Sequence, residues 1–450
     1  MKSIGKKMLT WVLSMLLLAE CWLTMGLPKM MVSAETSGDF GYSLLKDGTI
    51  DIDRYVGLAT ELSIPSTLDG RTVTSINVME GSPFYGCNTL TSIIIPKTIT
   101  SIGASTFASS GSVSLTNLVE ILVDENNPSY CSKEGVLFSK DMSTLIAYPL
   151  GKKDNSYVIP DYVTSIEDDA FCGCTYLTEI VIPDSVTTIV GTPFDGCDNL
   201  VSIQVSENNS MFSSYDGVLF NKDKSKLISY PDKDSVYTVP NSTIYIEDGA
   251  FLGCTDLIEV AVTDNITSIG EYAFAGCTNL TNITISNSVA NIRTGAFQGC
   301  TSLRNIDLPD GLTTINGIFT DCTGLVSIGI PESVISISYN VFDGSASLTG
   351  NGCENLTDVY YSGTEEQWNQ IEILDGNDNL LNATIHYNSI LPASEEVSDG
   401  TISGEENATV SASSDESSSA PFVPIFVTVG AVVLAGIAVT VILMMRRRKG

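Results

Sequence analysis

Histidine is almost missing from this chain. His386 is the only one in 450 residues, and it stands outside the repeated segments described below. That absence removes most general-base, triad and zinc-hydrolase mechanisms. Basic residues are also scarce, with 22 Lys and Arg against 53 Asp and Glu, a formal charge of -31. Four of them (Lys2, Lys6, Lys7, Lys29) lie at the start and four (Arg446, Arg447, Arg448, Lys449) at the end, so residues 35–421 carry 14 basic against 52 acidic side chains. Such a body repels nucleic acid and anionic membrane. No phosphate loop or dinucleotide fingerprint stands in a strand–helix setting. Paired carboxylates such as Asp168-Asp169 and Glu247-Asp248 recur just before Ala170-Phe171 and Ala250-Phe251. They read as solvent-facing turn residues, with weak calcium binding as the lesser alternative. The chain is therefore expected to be no enzyme and to need no cofactor.

The eleven cysteines do not form a disulfide framework on position. Cys87, Cys174, Cys197, Cys254, Cys277, Cys300 and Cys322 fall at one equivalent site per repeat. Stacked at the strand spacing, such sites lie farther apart than the roughly 3.8 Å between bridged Cβ atoms. Small buried thiols filling a ladder slot is the expected role. A zinc site is disfavoured, because Cys172 and Cys174 make only a C-x-C. Cys21 belongs to the N-terminal signal, and Cys131 is replaced by Ser213 in the matching segment.

What is present is a period. Phe251, Phe274, Phe297, Phe319 and Phe342 follow one another at steps of 23, 23, 22 and 23 residues. The pattern begins at Phe84, Phe107, Phe171 and Phe194, where two longer steps intervene. Between phenylalanines runs Leu-x-x-Ile-x-Ile, as at Leu280, Ile283 and Ile285, with Thr284 pointing the other way. One such strand cannot bury its apolar side alone, so rungs stack in parallel into a leucine-rich-repeat solenoid, predominantly β with turns and short helices. Leading leucines at 90, 118, 177, 200, 257, 280, 303, 325 and 356, with Leu62 and the valine-rich strands before Pro160 and Pro240, give about twelve short parallel rungs.

Taken in order, residues 1–34 read as a secretory signal ending in Val32-Ser33-Ala34. Residues 35–83 are an N-terminal cap and first rung, and 84–361 the repeats. Two similar segments interrupt them, at about 124–156 and 206–236, each opening on Asn-Asn and carrying Gly-Val-Leu-Phe. Their alternation reads as hairpin inserts, serving either as structural flaps or as a binding face. Residues 362–390 form a C-terminal cap in which Thr364 and Gln367 make a capping box and Trp368 seals the last rung. An acidic Ser/Glu-rich stalk, expected to be disordered, follows at 391–421. Residues 422–445 carry no charge and are expected to form a single transmembrane helix, with 446–450 as a basic cytoplasmic tail. The expected location is the plasma membrane, single-pass, with the repeats extracellular.

On the strand face, the position two after each leading leucine includes Glu120, Glu179, Glu259 and Asp358, and the next exposed column includes Gln204, Asp307 and Tyr360. These seven are the candidate binding residues, for an extracellular or cell-surface protein with basic and apolar patches.

The unit Ala273-Phe274-Ala275-Gly276-Cys277-Thr278-Asn279-Leu280, the run Ile182-Pro183-Asp184-Ser185-Val186, the Gly217-Val218-Leu219-Phe220 insert and the Trp368 segment together resemble the BspA-like leucine-rich repeat family of cell-surface proteins over roughly 41–388. The resemblance implies adhesion to, or interaction with, proteins of host or neighbouring cells, and supplies no catalytic residues. A surface coat without a specific ligand is the alternative. Leu391-Pro392-Ala393-Ser394-Glu395 is no cell-wall sorting signature, so attachment is expected to rest on the membrane helix, in a Gram-positive-type bacterium.

Overall fold

A computed structural model describes residues 32–77, 83–108, 115–231, 233–343 and 352–392, and all that follows concerns these. Each rung contributes a long strand, a turn, a two-residue strand and a second turn that carries the core phenylalanine. The long strands stack in parallel in four runs. They are Glu61–Ser63 to Glu120–Val123, Ser156–Val158 to Ser202–Val205, Val236–Thr238 to Asn282–Ile285, and Asn305–Asp307 through Ser327–Ile330 and Asp358–Tyr361 to Thr384–Tyr387. The last strand lies in the stretch expected only to cap the solenoid, and it pairs with Asp358–Tyr361 in full register, from Asp358↔Thr384 to Tyr361↔Tyr387.

The short strands form a second set of parallel ladders, for example Tyr245–Ile246, Ser268–Ile269 and Asn291–Ile292. The Leu and Ile of each rung face inward between the two sets, and Leu280, Leu303, Ile306 and Ile315 are all but fully buried. Behind them the phenylalanines stack as one column: ring centroids are 4.8 Å apart for Phe251–Phe274, 5.6 Å for Phe274–Phe297, 5.9 Å for Phe297–Phe319 and 5.7 Å for Phe319–Phe342. Burying each ring contributes about 2–3 kcal/mol before stacking is counted. The Sγ of the ladder cysteine donates to the carbonyl of the preceding rung's phenylalanine, as in Cys277 to Phe251 at 3.1 Å and Cys322 to Phe297 at 2.9 Å. The described cysteines are thiols, not disulfides, and burial pushes Cys197 and Cys322 up to about 12.

The two longer steps each hide a further rung. Tyr148 occupies a phenylalanine slot, 5.5 Å from Phe171, and Tyr230 does the same, 4.9 Å from Phe251. Each insert is thus one rung plus a hairpin, Tyr130–Lys133 with Val136–Ser139, and Phe212–Tyr215 with Val218–Asn221. The turns Glu134-Gly135 and Asp216-Gly217 place both residues at positive φ, the geometry that matches the strand twist. A buried asparagine ties each hairpin to the body. Asn209 Nδ2 donates to Pro183 O and Val186 O at 2.7 and 2.9 Å, while its Oδ1 accepts from Met211 N and Phe212 N at 2.9 and 2.8 Å. Asn127 makes the same four bonds in the first insert.

The meander Val32–Ser37, Phe40–Leu44, Ile50–Tyr55 closes one end and then joins the parallel ladder through Arg71–Ile76. At the other end, helix α1 (Glu365–Trp368) starts on a Thr364–Gln367 capping box and seats Trp368 edge-on to Tyr361 at 5.2 Å. Helix α2 (Asp378–Asn382) follows, behind a third clamp in which Asn377 Oδ1 accepts from Val341 N and Phe342 N.

The expected transmembrane helix requires correction, and with it the single-pass plasma-membrane location and the membrane as a partner. No helix among the described residues is long and apolar enough to cross a membrane. A span needs about 20 helical residues, whereas α1 has 4 and α2 has 5. The stretch 422–445 lies outside the described residues, as do 1–31 of the signal, the stalk beyond Pro392 and the basic tail.

Candidate functional site: the long-strand face

Strand pairing sets which exposed side chains become neighbours. In the first column Glu61, Ser92 and Glu120 are consecutive partners, then Ser156, Glu179 and Ser202, then Val236, Glu259 and Asn282, and finally Asn305, Ser327, Asp358 and Thr384. Within each run no carboxylate sits directly beside another. Ser, Asn, Val or Thr separates them, which avoids like charges at the strand spacing of about 4.8 Å. Glu259, Gln204 and Asp307 are exposed, and Glu120, Glu179, Asp358 and Tyr360 half-buried.

The inserts interrupt this face. Gly135 comes so close beside Glu120 that a Cβ on it would lie 2.8 Å from Glu120 Cβ, and Gly135 O accepts from Ile121 N at 2.8 Å. Gly217 takes the same place beside Ser202 and accepts from Ile203 N at 2.8 Å. Glu120, Glu179 with Gln204, and Glu259 therefore sit on separate runs, and the structure does not gather them.

It does gather Asp307, Asp358 and Tyr360, on the run of four strands at the C-terminal end. The second column there reads Asp307, Gly329, Tyr360, His386. Asp307 lays its carboxylate across Gly329, where an added Cβ would meet Asp307 Oδ1 at 1.8 Å, so a side chain there would displace it. Partial desolvation beside the strand, with Asp310 adding to it, raises the Asp307 carboxyl above its usual range. Tyr360 stacks on His386, and His386 Nε2 lies 2.8 Å from Asp358 Oδ1. Its hydrogen bonds with His386 and then Thr357 hold the Asp358 carboxyl below its usual range. His386 therefore belongs to the ladder, contrary to the expectation that it stands apart. Its strand lacks a leading leucine, so only the alternation of Thr384-Ile385-His386-Tyr387 signalled it.

The paired carboxylates of the turns are engaged elsewhere. Glu247 meets Lys226 at 2.8 Å, both oxygens of Asp248 accept from Arg293 Nη1 at 2.9 and 3.0 Å, and Asp168 accepts from Thr192 N at 2.8 Å. Among the described residues no group of three or more His, Cys, Asp or Glu is placed to hold a metal ion.

A family profile agrees with the repeat architecture. The profile of the BspA type leucine rich repeat region, in 6 copies, matches residues 62–132, 151–233 and 233–349. Among solved structures, the chain is similar to a leucine rich cell surface protein from Faecalibacterium prausnitzii A2-165, at 29% identity over 76% of this chain and 97% of that one, TM-score 0.45. It is also similar to the pneumococcal vaccine antigen PcpA, at 19% identity over 81% and 99%, TM-score 0.46. A leucine-rich repeat protein from Eubacterium ventriosum ATCC 27560 shares 24% over 73% and 90%, TM-score 0.44. No curated protein matches the chain. With the repeat profile running over more than half of its length, the chain belongs to the BspA-type leucine-rich-repeat family of cell-surface proteins, a non-catalytic class built for protein interaction.

Proposed function

We propose that the protein is an adhesion or interaction module that binds an extracellular or cell-surface protein through its long-strand face, centred on Asp307, Asp358 and Tyr360. The observation that carries this reading is the row Asp307, Gly329, Tyr360, His386, which sets an aromatic pair beside two carboxylates on four consecutive strands. Tyrosine supplies contact area at little entropic cost, and carboxylates around it favour a partner with basic groups. Glu259, Glu179 and Glu120 extend the acidic surface along the other runs and steer such a partner toward it, and Gln204 adds a neutral hydrogen-bonding group. A binding screen of the full chain against extracellular-matrix, serum and bacterial-surface proteins at two salt concentrations tests the reading. A selective, salt-sensitive ligand is the expected result, and a folded chain with none points instead to a surface coat.

A further inference from the structure

The two inserts open the short-strand ladders at equivalent places, and each opening leaves a cleft. The first, about 300 Å³, lies beside Ser101–Ile102, and the second, about 620 Å³, beside Thr188–Ile189. In the second, Thr188 N and Val190 N donate back to Thr164 O and Ile166 O at 3.1 and 3.0 Å, tying the strand to the preceding rung. Backbone groups alternate along a strand, so Ile189 N–H and the carbonyls of Thr187 and Ile189 point the other way, where the next rung would pair. There the insert has displaced that rung: Ile244 N and Glu247 N bond to Ser225 O and Leu227 O of the insert instead.

The twin clefts differ in the residue that faces the open strand edge. In the first, the Tyr130 hydroxyl accepts from Ile102 N at 3.0 Å and closes that edge. In the second, the matching residue, set by the same asparagine clamp, is Phe212, which has no hydroxyl to offer Ile189 N. Around this open edge stand Met211, Phe212 and Ile228 as an apolar wall. Lys222 stands at the rim. Its ammonium bonds the Glu207 carbonyl at 3.0 Å, and among the described residues no carboxylate pairs with it. Of the three carboxylates that also line the cleft, Glu247 is paired with Lys226, Asp248 with Arg293, and Asp223 accepts from Ser225 N.

We propose that this cleft is a β-augmentation site, taking an extended segment of a partner protein that adds as a strand beside Thr188–Ile189. The segment's carbonyl accepts from Ile189 N–H, its amides donate to the Thr187 and Ile189 carbonyls, an apolar side chain packs on Met211 and Ile228, and a carboxylate meets Lys222. The site lies on the short-strand side, so its failure leaves the long-strand reading untouched.

The test is selection of a displayed library of random dodecapeptides on the full chain, followed by affinity measurement on Phe212→Tyr. That variant supplies the hydroxyl which closes the twin edge. The expected peptides carry a carboxylate next to an apolar residue, bind Phe212→Tyr at least tenfold more weakly and slow hydrogen exchange at the Ile189 amide. Should Phe212→Tyr not fold, Lys222→Ala replaces it, and the same peptides are expected to bind that variant at least tenfold more weakly. No enriched peptide, or equal affinity for whichever of the two variants folds, overturns the proposal. Self-association of the wild-type chain that Phe212→Tyr abolishes overturns it as well, by making a second copy the occupant.

Discussion

His386 lies flat on Tyr360, with ring centroids 4.6 Å apart and planes 14° from parallel, while its Nε2 reaches Asp358 Oδ1 at 2.8 Å. One contact thus joins the two exposed columns of the long-strand face, since Tyr360 belongs to the second and Asp358 to the first.

That contact predicts an acid-side signature. Asp358 is held below its usual range by its hydrogen bonds with His386 and Thr357. A carboxyl depressed in the folded state adds stability that is present above its unfolded value, about 3.9, and is lost as pH falls through the folded value. Asp358→Asn is therefore expected to melt below the parent at pH 7, with the gap closing below about pH 4. Melting curves from pH 2.5 to 7 check this, and a gap independent of pH contradicts it.

Asp195 predicts the opposite slope. Burial, then the charge of Asp169, raises its carboxyl to about 6. The folded chain then binds more protons than the unfolded one between about pH 4 and pH 6, so stability falls as pH rises through that window. Asp195→Asn removes the effect. It is expected to be more stable than the parent by roughly 1–2 kcal/mol at pH 7, a figure reduced for partial exposure, and level with it below about pH 4. Chemical denaturation at pH 4 and pH 7 measures both ends.

The asparagine clamps predict where the body is most easily unlatched. Asn209 is fully buried and makes four hydrogen bonds that bind the second hairpin to the preceding rung. Asn209→Ala leaves two carbonyls and two amides without these partners, at a cost of about 2–4 kcal/mol. Hydrogen exchange should rise first over 206–231, and uniform loss of protection along the solenoid would show the clamp to be no local latch.

The period of the phenylalanines and the alternation at Leu280–Ile285 made the rung legible, because stacking identical units repeats one burial pattern. Tyr148 and Tyr230 broke the phenylalanine period, though the valine-rich strands of their rungs could be read, because an aromatic slot accepts tyrosine as well as phenylalanine once the hydroxyl finds a partner, Asp154 Oδ2 at 2.7 Å for Tyr148 and Asp234 O at 3.3 Å for Tyr230. Of the candidate site, the columns could be read from spacing, and the register places Asp307, Asp358 and Tyr360 together. The separation of Glu120, Glu179 and Glu259 could not, since nothing local to those residues reveals that Gly135 and Gly217 take the neighbouring strand positions. The contrast between Tyr130 and Phe212 was equally silent, because it matters only through Ile102 and Ile189.

Protein binding by the long-strand face is tested by surface-immobilised binding of the full chain to a ligand found in the screen, compared with Tyr360→Ala and with the charge reversals Glu179→Lys and Glu259→Lys. Tyr360→Ala is expected to lose at least tenfold in affinity, mainly through faster dissociation, and the reversals to associate more slowly with reduced salt dependence. Unchanged affinity in all three, with folding intact, would contradict binding through this face.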